Sequence, residues 1–499
     1  MTSRAILAGI LLAGTAVGAA QAQDGEVTIV LSEELDLIDP CMATRSNIGR
    51  VVLQNISETL TELDVRGDGG VVPRLAESWE QADDTTWRFA LRQDATFSDG
   101  TAFDAGDVVH SFERASSDEN SCEVSRYYEG MGMQMRAVDA HTLEVTTEDP
   151  QPIMPLLMTL LTVVPAEQGM DFTREPVGTG PYVLAAWNPG QNIRLERRDD
   201  YWGEAPEVVA AEYVFRSDAA VRAAMVETGE ADIAPSISAL EATDPALDKS
   251  YPNSETTYLR IDHAVAPLDD VRVRRAMNLA IDREAFIGTI LAEGTEAATA
   301  IVPPTTIGWN AGIEGWPYDP DQARTLIEEA AADGAPVDAE ILLVGRTGNF
   351  PGATETYEAI TAMLGDVGLN VRLQMVEVAE HEQYYSKPYV QDQPILVGAQ
   401  HDNSRGDPVF SMFFKYDSEG RQSGISDARV DELIDEATAA TGDERTALWS
   451  ELFAYLHDEV VADVLLFHMV GFARVGEGVT YEPTIATNSQ LQLAEIGLR

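Results

Sequence analysis

The stretch from Ile341 to Val376, ILLVGRTGNFPGATETYEAITAMLGDVGLNVRLQMV, decides the fold. It begins with the apolar run Ile341–Val344 and ends with an apolar–polar alternation at Val371–Met375, and each pattern is typical of a strand. Between them, apolar residues at helical spacing predict a helix, with Thr354 as its N-cap and Gly368 just after its end. A strand, a helix and a second strand form a βαβ unit, whose strands are parallel and buried between helices. The sequence therefore predicts the α/β class.

Strand and helix patterns also alternate outside this stretch. Trp87–Leu91 alternates apolar and polar residues, as a half-buried strand does. Val273–Ala280 places its apolar residues on one face of a helix, and Asp282 predicts the cap of a second helix after it. The apolar run Pro394–Ala399 predicts a further buried strand. These patterns agree with the α/β class along the whole chain.

Polar residues follow two of the predicted strands directly, and we take them as the candidate ligand-binding residues. An open parallel sheet binds its ligand just beyond the carboxyl ends of its strands. The strand ending at Val344 is followed by an arginine, and the strand ending at Ala399 leads into a polar segment that continues to Pro408. The candidates are Arg346, His401, Asp402, Asn403, Arg405 and Asp407.

A guanidinium and a carboxylate in one crevice have a clear chemical use. A carboxylate accepts charge-assisted hydrogen bonds from a ligand ammonium group, and an arginine holds a ligand carboxylate with two parallel bonds. Together they select a zwitterion, such as a peptide or an amino-acid derivative. The structural alternative is that Asp402 caps a turn and Arg346 pairs with a nearby acid. From the residues alone, both interpretations stay open.

The charge of the chain excludes one class of partner. Acidic residues number 84 against 33 basic ones, which gives a net charge of −51. Such a surface repels phosphate backbones, so we expect no nucleic-acid binding. Acidic surfaces keep proteins dissolved in salt, where their self-repulsion is screened. We interpret the charge as an adaptation of the surface to its environment.

The N-terminus has the pattern of a secretory signal peptide over residues 1–22. One basic residue, Arg4, precedes an apolar run from Ala5 to Ala20, and a small-x-small cleavage pattern ends at Ala22. The run is shorter than the roughly 20 apolar residues of a membrane-spanning helix, and no second long apolar stretch follows. We therefore expect a periplasmic protein that is not embedded in the membrane.

The chain has two cysteines, and in an oxidising compartment we expect Cys41 and Cys122 to form a disulfide. Two buried free thiols are the alternative. Two cysteines do not supply a four-ligand zinc site, and the seven histidines are scattered without a tight cluster. The sequence therefore predicts no metal site and no cofactor.

Four stretches of this chain resemble a known family in the family's own order. This family is the family-5 extracellular solute-binding proteins, which are the dipeptide-, oligopeptide- and nickel-binding proteins of ABC importers. The stretches are VPRLAESWE at Val72–Glu80, VGTGPY at Val177–Tyr182, PLDDVRVRRAMNLAIDR at Pro267–Arg283 and YDP at Tyr318–Pro320.

The resemblance implies a two-lobed, class II periplasmic-binding fold with an extra N-terminal subdomain. A hinge motion would engulf the ligand as the lobes close. The implied lobe I covers residues 23–260 and 468–499, with the extra subdomain at about 45–180, and lobe II covers residues 261–467. The implied crossings between the lobes are Tyr258–Ile261 and Leu466–Val470.

The resemblance also implies roles for the candidate residues. In the dipeptide-binding relatives, an aspartate holds the peptide amine and an arginine holds its carboxylate. These roles fall on Asp402 and Arg346, with Asp407 as the alternative for the amine. The implied partners are a peptide or other small ligand and the permease subunits of an ABC transporter, and we expect a monomer.

The sequence thus predicts a periplasmic binding protein that delivers a short peptide or peptide-like zwitterion to an ABC importer. The first alternative is the same fold with an opine, glutathione, a sugar or a metal chelate, including haem, as its ligand. The second is a periplasmic hydrolase, but the chain has neither a Gly-x-Ser-x-Gly nor a His-Glu-x-x-His motif, so we expect no enzyme. A role in presenting ligand to a chemoreceptor also stays open.

Overall fold

A computed structural model describes residues 25–499, apart from residues 36, 44–46, 67–69, 118–119, 121, 129, 390–392, 405 and 488–489. The predicted signal peptide at residues 1–22 lies outside the described residues, as does Arg405.

The described residues form strands along the whole chain. They are β1 Glu26–Leu31, β2 Thr61–Leu63, β3 Val71–Pro73, β4 Ala76–Asp83, β5 Thr86–Leu91, β6 Gln134–Asp139, β7 Thr142–Thr146, β8 Tyr182–Asn188, β9 Asn192–Arg197, β10 Ala210–Phe215, β11 Ile233–Ile237, β12 Asp248–Ile261, β13 Glu296–Ala297, β14 Glu340–Arg346, β15 Asn370–Val376, β16 Ile395–Asp402, β17 Asp463–Val475, β18 Val479–Thr480 and β19 Gly497–Leu498.

Helices alternate with these strands. They are α1 Pro40–Ala43, α2 Asn47–Leu53, α3 Ala105–Ala115, α4 Met154–Leu157, α5 Ala219–Glu227, α6 Val271–Leu279, α7 Pro320–Ala332, α8 Ala353–Asp366, α9 Val378–Tyr385, α10 Val409–Tyr416, α11 Ala428–Ala439 and α12 Gly442–Tyr455.

One large sheet runs through the protein in the order β15-β14-β16-β12-β17-β11-β1-β10-β9-β8, and β13 pairs with β17. Two long strands, β12 and β17, lie side by side at its centre and connect its halves. In the C-terminal half of the protein, β12 pairs with β16 over Glu255–Ile261. Towards the other half, β17 pairs with β11 through Phe472–Val475. The register between β12 and β17 shifts between Pro252 and Thr256, where the sheet passes from one half to the other.

The C-terminal half is a three-layer arrangement of helices on both faces of the sheet. Ile341 and Leu343 of β14 belong to a core shared with α6, α7 and α8. Leu342 and Val344 belong to a second core with α10, α11 and α12. Successive side chains of a strand point to opposite faces, so this apolar run is buried on both sides.

The N-terminal half repeats this arrangement and adds a separate unit. Ile29 and Val30 of β1 lie in two different cores, one on each face of the sheet. A four-stranded antiparallel sheet of order β4-β5-β7-β6 lies apart from the large sheet. It has its own core, which includes Phe89, Leu143 and Val108 of α3. This unit is the extra element that the resemblance implies.

A disulfide lies in the core of the extra unit. Cys41 and Cys122 form a disulfide across a sequence separation of 81 residues. Beside it, the buried guanidinium of Arg114 forms an ion pair with Asp39 at 2.8 Å. Because both charges are buried, they are stabilised by this pairing rather than by water.

The predicted βαβ unit is present, since β14 and β15 pair in parallel over their full length and α8 connects them. Gly368 takes a positive φ of 102° just after α8, as expected of a residue that follows a helix end. The prediction of Thr354 as the N-cap is wrong, because α8 begins earlier and its N-cap is Gly352. The helix predicted after Asp282 is also wrong, since turns occupy that segment and the Asp282 carboxylate accepts a hydrogen bond from the Ala285 N–H.

Candidate functional site

The candidate site lies at the carboxyl ends of three neighbouring parallel strands, β15, β14 and β16. β14 ends at Arg346 and β16 ends at Asp402, and β14 pairs with β16 through Val344 and Val397. β16 continues past its last pair with β14. Among the described strands, its last residues, Gln400–Asp402, pair on one side only, with β12. The end of β16 therefore presents an open strand edge.

A cleft with a volume of about 630 Å³ opens at this edge. The C-terminal half contributes charged and polar side chains, while Arg50 of α2 and Tyr127 come from the N-terminal part of the chain. The cleft therefore lies between the two halves of the protein. Lining residues from the C-terminal half include Glu255, Tyr385, Gln400, His401, Asp402 and Lys415.

Aromatic side chains from the two halves meet in the wall of this cleft. The rings of Tyr127 and Phe410 meet edge to face with their centroids 5.4 Å apart. Val409 and Phe410, at the start of α10, also pack against the core of the extra unit. Since α10 belongs to the C-terminal half, this contact joins the two sides of the cleft.

Asp402 lies at the mouth of the cleft and also caps a turn. Its carboxylate accepts hydrogen bonds from the Ser254 hydroxyl at 2.6 Å and from the Ser404 N–H at 2.8 Å. The Ser404 hydroxyl donates to its second oxygen at 3.0 Å. The side chain is nevertheless exposed. Asp402 therefore caps a turn, as the structural alternative predicts, and it also lines the cleft.

A second carboxylate, Glu255 of β12, lies beside Asp402 because the two residues are direct cross-strand partners. Burial and the neighbouring Asp402 raise the pKa of Glu255 to about 7, although the guanidinium of Arg346 and a hydrogen bond from Gln400 act in the opposite direction. The Gln400 amide donates to Glu255 Oε2 at 2.8 Å. The cleft therefore holds a carboxylate that is partly protonated near neutral pH.

Arg346 is not among the residues that line the cleft, but it lies close enough to act on Glu255 in the cleft wall and on the nearby His381. Its positive charge lowers the pKa of Glu255 and, more weakly than burial does, that of His381. Within the part of the chain that the structure describes, no carboxylate forms an ion pair with the Arg346 guanidinium. The structure thus brings Arg346, Glu255 and Asp402 to the same edge of the sheet.

Asp407 lies elsewhere and has a different partner. Its carboxylate forms two hydrogen bonds with the buried guanidinium of Arg445, at 2.8 and 3.0 Å. It also accepts a bond from the Val409 N–H at the start of α10. Asp407 is not among the residues that line the cleft. Its charge is used to connect α10 to α12.

The remaining candidates divide between the cleft and the core. His401 lines the cleft, and burial together with the positive charge of Lys415 holds the pKa of its imidazole well below the usual range. Asn403 is buried, and its amide donates to the backbone carbonyls of Ser254 and Ile301, which is a structural role. Arg405 lies outside the described residues, so its place in the site stays a prediction.

Two further properties can be stated for the described residues. No group of three or more His, Cys, Asp or Glu side chains among them is arranged to hold a metal ion. None of the helices in the described ranges is long and apolar enough to cross a membrane.

Residues 70–421 match the model of the bacterial extracellular solute-binding proteins, family 5 (Middle), which is more than half of the 499-residue chain. The chain belongs to this family. The resemblance seen in the sequence is thereby confirmed. As a family-5 protein the chain is a solute-binding protein of the kind that serves ABC importers, and not an enzyme.

Relatives of this family-5 protein agree with that assignment over most of their length. The dipeptide-binding protein of Escherichia coli (strain K12) is 27% identical over 451 residues, which cover 83% of this chain and 84% of that protein. The probable di/tripeptide-binding protein 5 of Pseudomonas aeruginosa (strain UCBPP-PA14) is 27% identical over 508 residues, which cover 94% and 93%.

The fold is shared with a solved binding protein. The periplasmic binding protein DppA from Helicobacter pylori, in complex with the peptide STSA, superimposes with a TM-score of 0.78 at 20% identity. The match covers 95% of this chain and 98% of that one. The predicted α/β, class II periplasmic-binding fold is confirmed.

Sequence reasoning missed several charged residues of this family-5 cleft, among them Glu255 and Lys415. Neither follows a parallel strand, since Glu255 lies inside the antiparallel strand β12 and Lys415 lies on α10. The rarity of lysine was the one available signal for Lys415, because the chain has only Lys249, Lys387 and Lys415.

Proposed function

We propose that this protein is the periplasmic receptor of an ABC importer and that it binds a short peptide or peptide-like zwitterion in the cleft between its halves. The observation that carries the proposal is an open strand edge, Gln400–Asp402, flanked by opposite charges in a cleft of about 630 Å³. A cavity of this size is in the usual range for small-molecule sites.

The open edge favours a peptide over other small solutes. An unpaired strand edge presents backbone N–H and C=O groups, and an extended peptide adds to such an edge as another strand. These main-chain bonds are independent of the peptide's side chains, so they suit a receptor for peptides of varied sequence. A sugar or a metal chelate has no matching row of amide groups.

The charges beside the edge suit the two ends of a peptide. Glu255 and Asp402 are like charges on neighbouring strands, and a ligand ammonium group placed between them relieves their repulsion. Arg346 is the group for the ligand carboxylate, which its guanidinium can hold with two parallel bonds. Asp407 is not part of this proposal, because its carboxylate is engaged by Arg445.

The two halves of the sheet are proposed to move as lobes. The register shift of β12 between Pro252 and Thr256 supports a first crossing a few residues before the boundary predicted at Tyr258–Ile261. The second crossing is β17, which pairs with β13 at Phe467–His468 and with β11 from Phe472 onward. With these crossings, lobe I comprises residues 23 to about 254 and 469–499, and lobe II the residues between.

Export and partners follow from the same proposal. The N-terminal pattern directs the protein to the periplasm, and cleavage after Ala22 releases it. There it is proposed to act as a monomer that delivers its ligand to the permease subunits of an ABC transporter. The net charge of −51 argues against any nucleic-acid partner.

Native mass spectrometry of the freshly purified protein, followed by a thermal-shift screen, tests this function. The screen compares di- and tripeptides with opines and sugars. A ligand at 100 times its Kd stabilises the folded state by about 2.7 kcal/mol, which is a readily measured shift. Stabilisation by sugars with none by peptides would contradict the proposal.

Blocked peptides test the recognition of the two charged ends. Acetylation of Ala-Ala removes its ammonium charge, and amidation removes its carboxylate. Each change should weaken binding by about tenfold to a hundredfold, since a hydrogen bond to a charged group contributes about 1.5–3 kcal/mol. Equal affinity for the free and the acetylated dipeptide would rule out the role of Glu255 and Asp402.

Arg346→Met should raise the Kd for Ala-Ala by about tenfold to a hundredfold, because the ligand carboxylate loses a charged donor. The amidated dipeptide should bind wild type and variant alike. Isothermal titration calorimetry measures both. The matched control is Arg372→Met on the neighbouring strand β15, whose guanidinium is paired with Glu340 on the surface and should leave affinity unchanged.

A further inference from the structure

Among the described residues, three cations line the cleft without a role in the recognition described above, Arg50, Lys415 and Arg421, and Lys415 is the buried one. Lys415 lies on α10, lines the cleft, and is only 9% exposed. Its ammonium group donates to the Tyr258 hydroxyl at 2.9 Å and to the Tyr385 hydroxyl. A lysine ammonium has three donors, so these two bonds leave one.

The charge of Lys415 is not matched by an acid at contact distance. Among the described residues, no carboxylate forms an ion pair with its ammonium group. Asp463 acts on it from farther away, but this carboxylate accepts a hydrogen bond from Tyr416. Burial raises the pKa of Asp463 to about 7, so it carries only part of a negative charge near neutral pH. A buried ammonium group that is paired only with neutral hydroxyls keeps part of its desolvation cost, and an anion entering the cleft would reduce that cost.

Lys415 is also separate from the arginine assigned to the ligand carboxylate. The charge of Arg346 acts on Glu255 and His381, whereas that of Lys415 acts on His401 and Asp463. His381, on which Arg346 acts, and Tyr385, to which Lys415 donates, are neighbours on α9 with ring centroids 5.5 Å apart, so the two cations act on adjacent groups. Lys415 therefore offers a cationic position in the cleft wall besides that of Arg346, which lies beside the cleft.

We infer that the ligand carries a second carboxylate, which the third donor of Lys415 holds beside the Tyr385 hydroxyl. The ligand class is thus a solute with one ammonium group and two carboxylates, such as a peptide with an acidic side chain. The inference rests on the proposed function, since it assumes that the other two charged groups occupy the Glu255–Asp402 and Arg346 positions. It makes Lys415 a specificity-determining residue of the same cleft.

Matched pairs of peptides test this inference on the wild-type protein. Calorimetry compares Ala-Glu with Ala-Gln, Glu-Ala with Gln-Ala, and Ala-Asp with Ala-Asn. At least one acidic peptide should bind about tenfold to a hundredfold more tightly than its amide partner, because only the acid forms a charged pair with Lys415. If every acidic peptide binds no better than its amide, the inference is wrong while peptide binding itself stands. If no peptide binds, the proposed function fails and this inference fails with it.

A charge-removing variant then assigns the preference to Lys415. Lys415→Met should bring the acid-to-amide affinity ratio close to one. The matched control is Lys387→Met, since Lys387 donates to the Ser418 carbonyl and does not line the cleft. It should retain the wild-type ratio. A preference that survives Lys415→Met would overturn the assignment, and the comparison on wild-type protein holds even if this variant folds poorly.

Discussion

Replacing Glu255 by Gln and Asp402 by Asn together should weaken the binding of Ala-Ala by a hundredfold or more. The two carboxylates are cross-strand partners in the cleft, and each is expected to accept a hydrogen bond from the ligand ammonium group. Each such charged bond contributes about 1.5–3 kcal/mol. The Asn side chain keeps an oxygen for the Ser254 hydroxyl and the Ser404 N–H, so the local turn should persist. Isothermal titration calorimetry gives the Kd directly.

The control for this pair is Glu419→Gln, which removes a charge from an exposed residue that lines the same cleft. It should change affinity by less than about threefold, because exposed charges interact weakly. If the control weakens binding as much as the double variant does, the effect is a general one of net charge. If the double variant binds like wild type, the ammonium site lies elsewhere.

The same substitution at Glu255 should stabilise the protein in the absence of ligand. The folded-state pKa of Glu255 is about 7, above its ordinary value of 4.5. Between these two values the unfolded chain has released the proton while the folded protein retains it, so the stability of wild type falls as pH rises. Glu255→Gln removes this loss, and its melting temperature should exceed that of wild type by an amount that grows from pH 5 to about pH 7 and then levels off. A variant that binds worse but melts higher indicates a residue kept for function.

The affinity of wild type should also depend on pH in the direction set by Glu255. A ligand ammonium group binds the ionised carboxylate, which is half populated near pH 7 and scarce at pH 5.5. Affinity for Ala-Ala should therefore fall by about tenfold between pH 7 and pH 5.5, a range in which the peptide amine stays charged. Calorimetry at both values should show the loss in wild type and a flat profile in Glu255→Gln.

The strand ends were predictable from the sequence because local patterns determine them. The apolar run before Arg346 and the one before Asp402 mark buried parallel strands, and the rule for open sheets places both residues at one edge. Glu255 could not be found in this way. It lies within a strand whose pairing with β16 joins residues 147 positions apart, and no local pattern reveals a register between distant strands.

Asp407 shows the opposite limit of sequence reasoning. It stands in the segment Gly406-Asp407-Pro408 after a strand, which makes it a candidate ligand-binding residue, and the family resemblance implies it as the alternative for the ligand amine. Its actual partner, Arg445, lies 38 residues farther along the chain on α12. The pattern led to a segment that begins at the cleft, but it could not distinguish a carboxylate that lines the cleft from one that is engaged by a buried arginine.

Asp407→Asn should accordingly reduce the free energy of unfolding by about 3–5 kcal/mol, the usual cost of removing one partner from a buried ion pair. Both side chains are largely buried, and Arg445 also donates to the carbonyls of Ala437 and Thr438, so its guanidinium cannot turn to solvent easily. The Asn oxygen still accepts a bond from the Val409 N–H, which leaves the start of α10 capped. The loss should therefore report the charge pair itself. Denaturant unfolding of wild type and variant measures it.

A double-mutant cycle with Arg445→Met separates this pair from other effects. If the two charges stabilise the fold mainly through each other, the double variant should be more stable than Asp407→Asn alone, because no unpaired charge remains buried. Folded Asp407→Asn should bind Ala-Ala within about twofold of wild type, since its carboxylate does not line the cleft. A large loss of affinity in a variant that unfolds like wild type would reverse the assignment, making Asp407 the residue that binds the amine and leaving Asp402 as the turn cap.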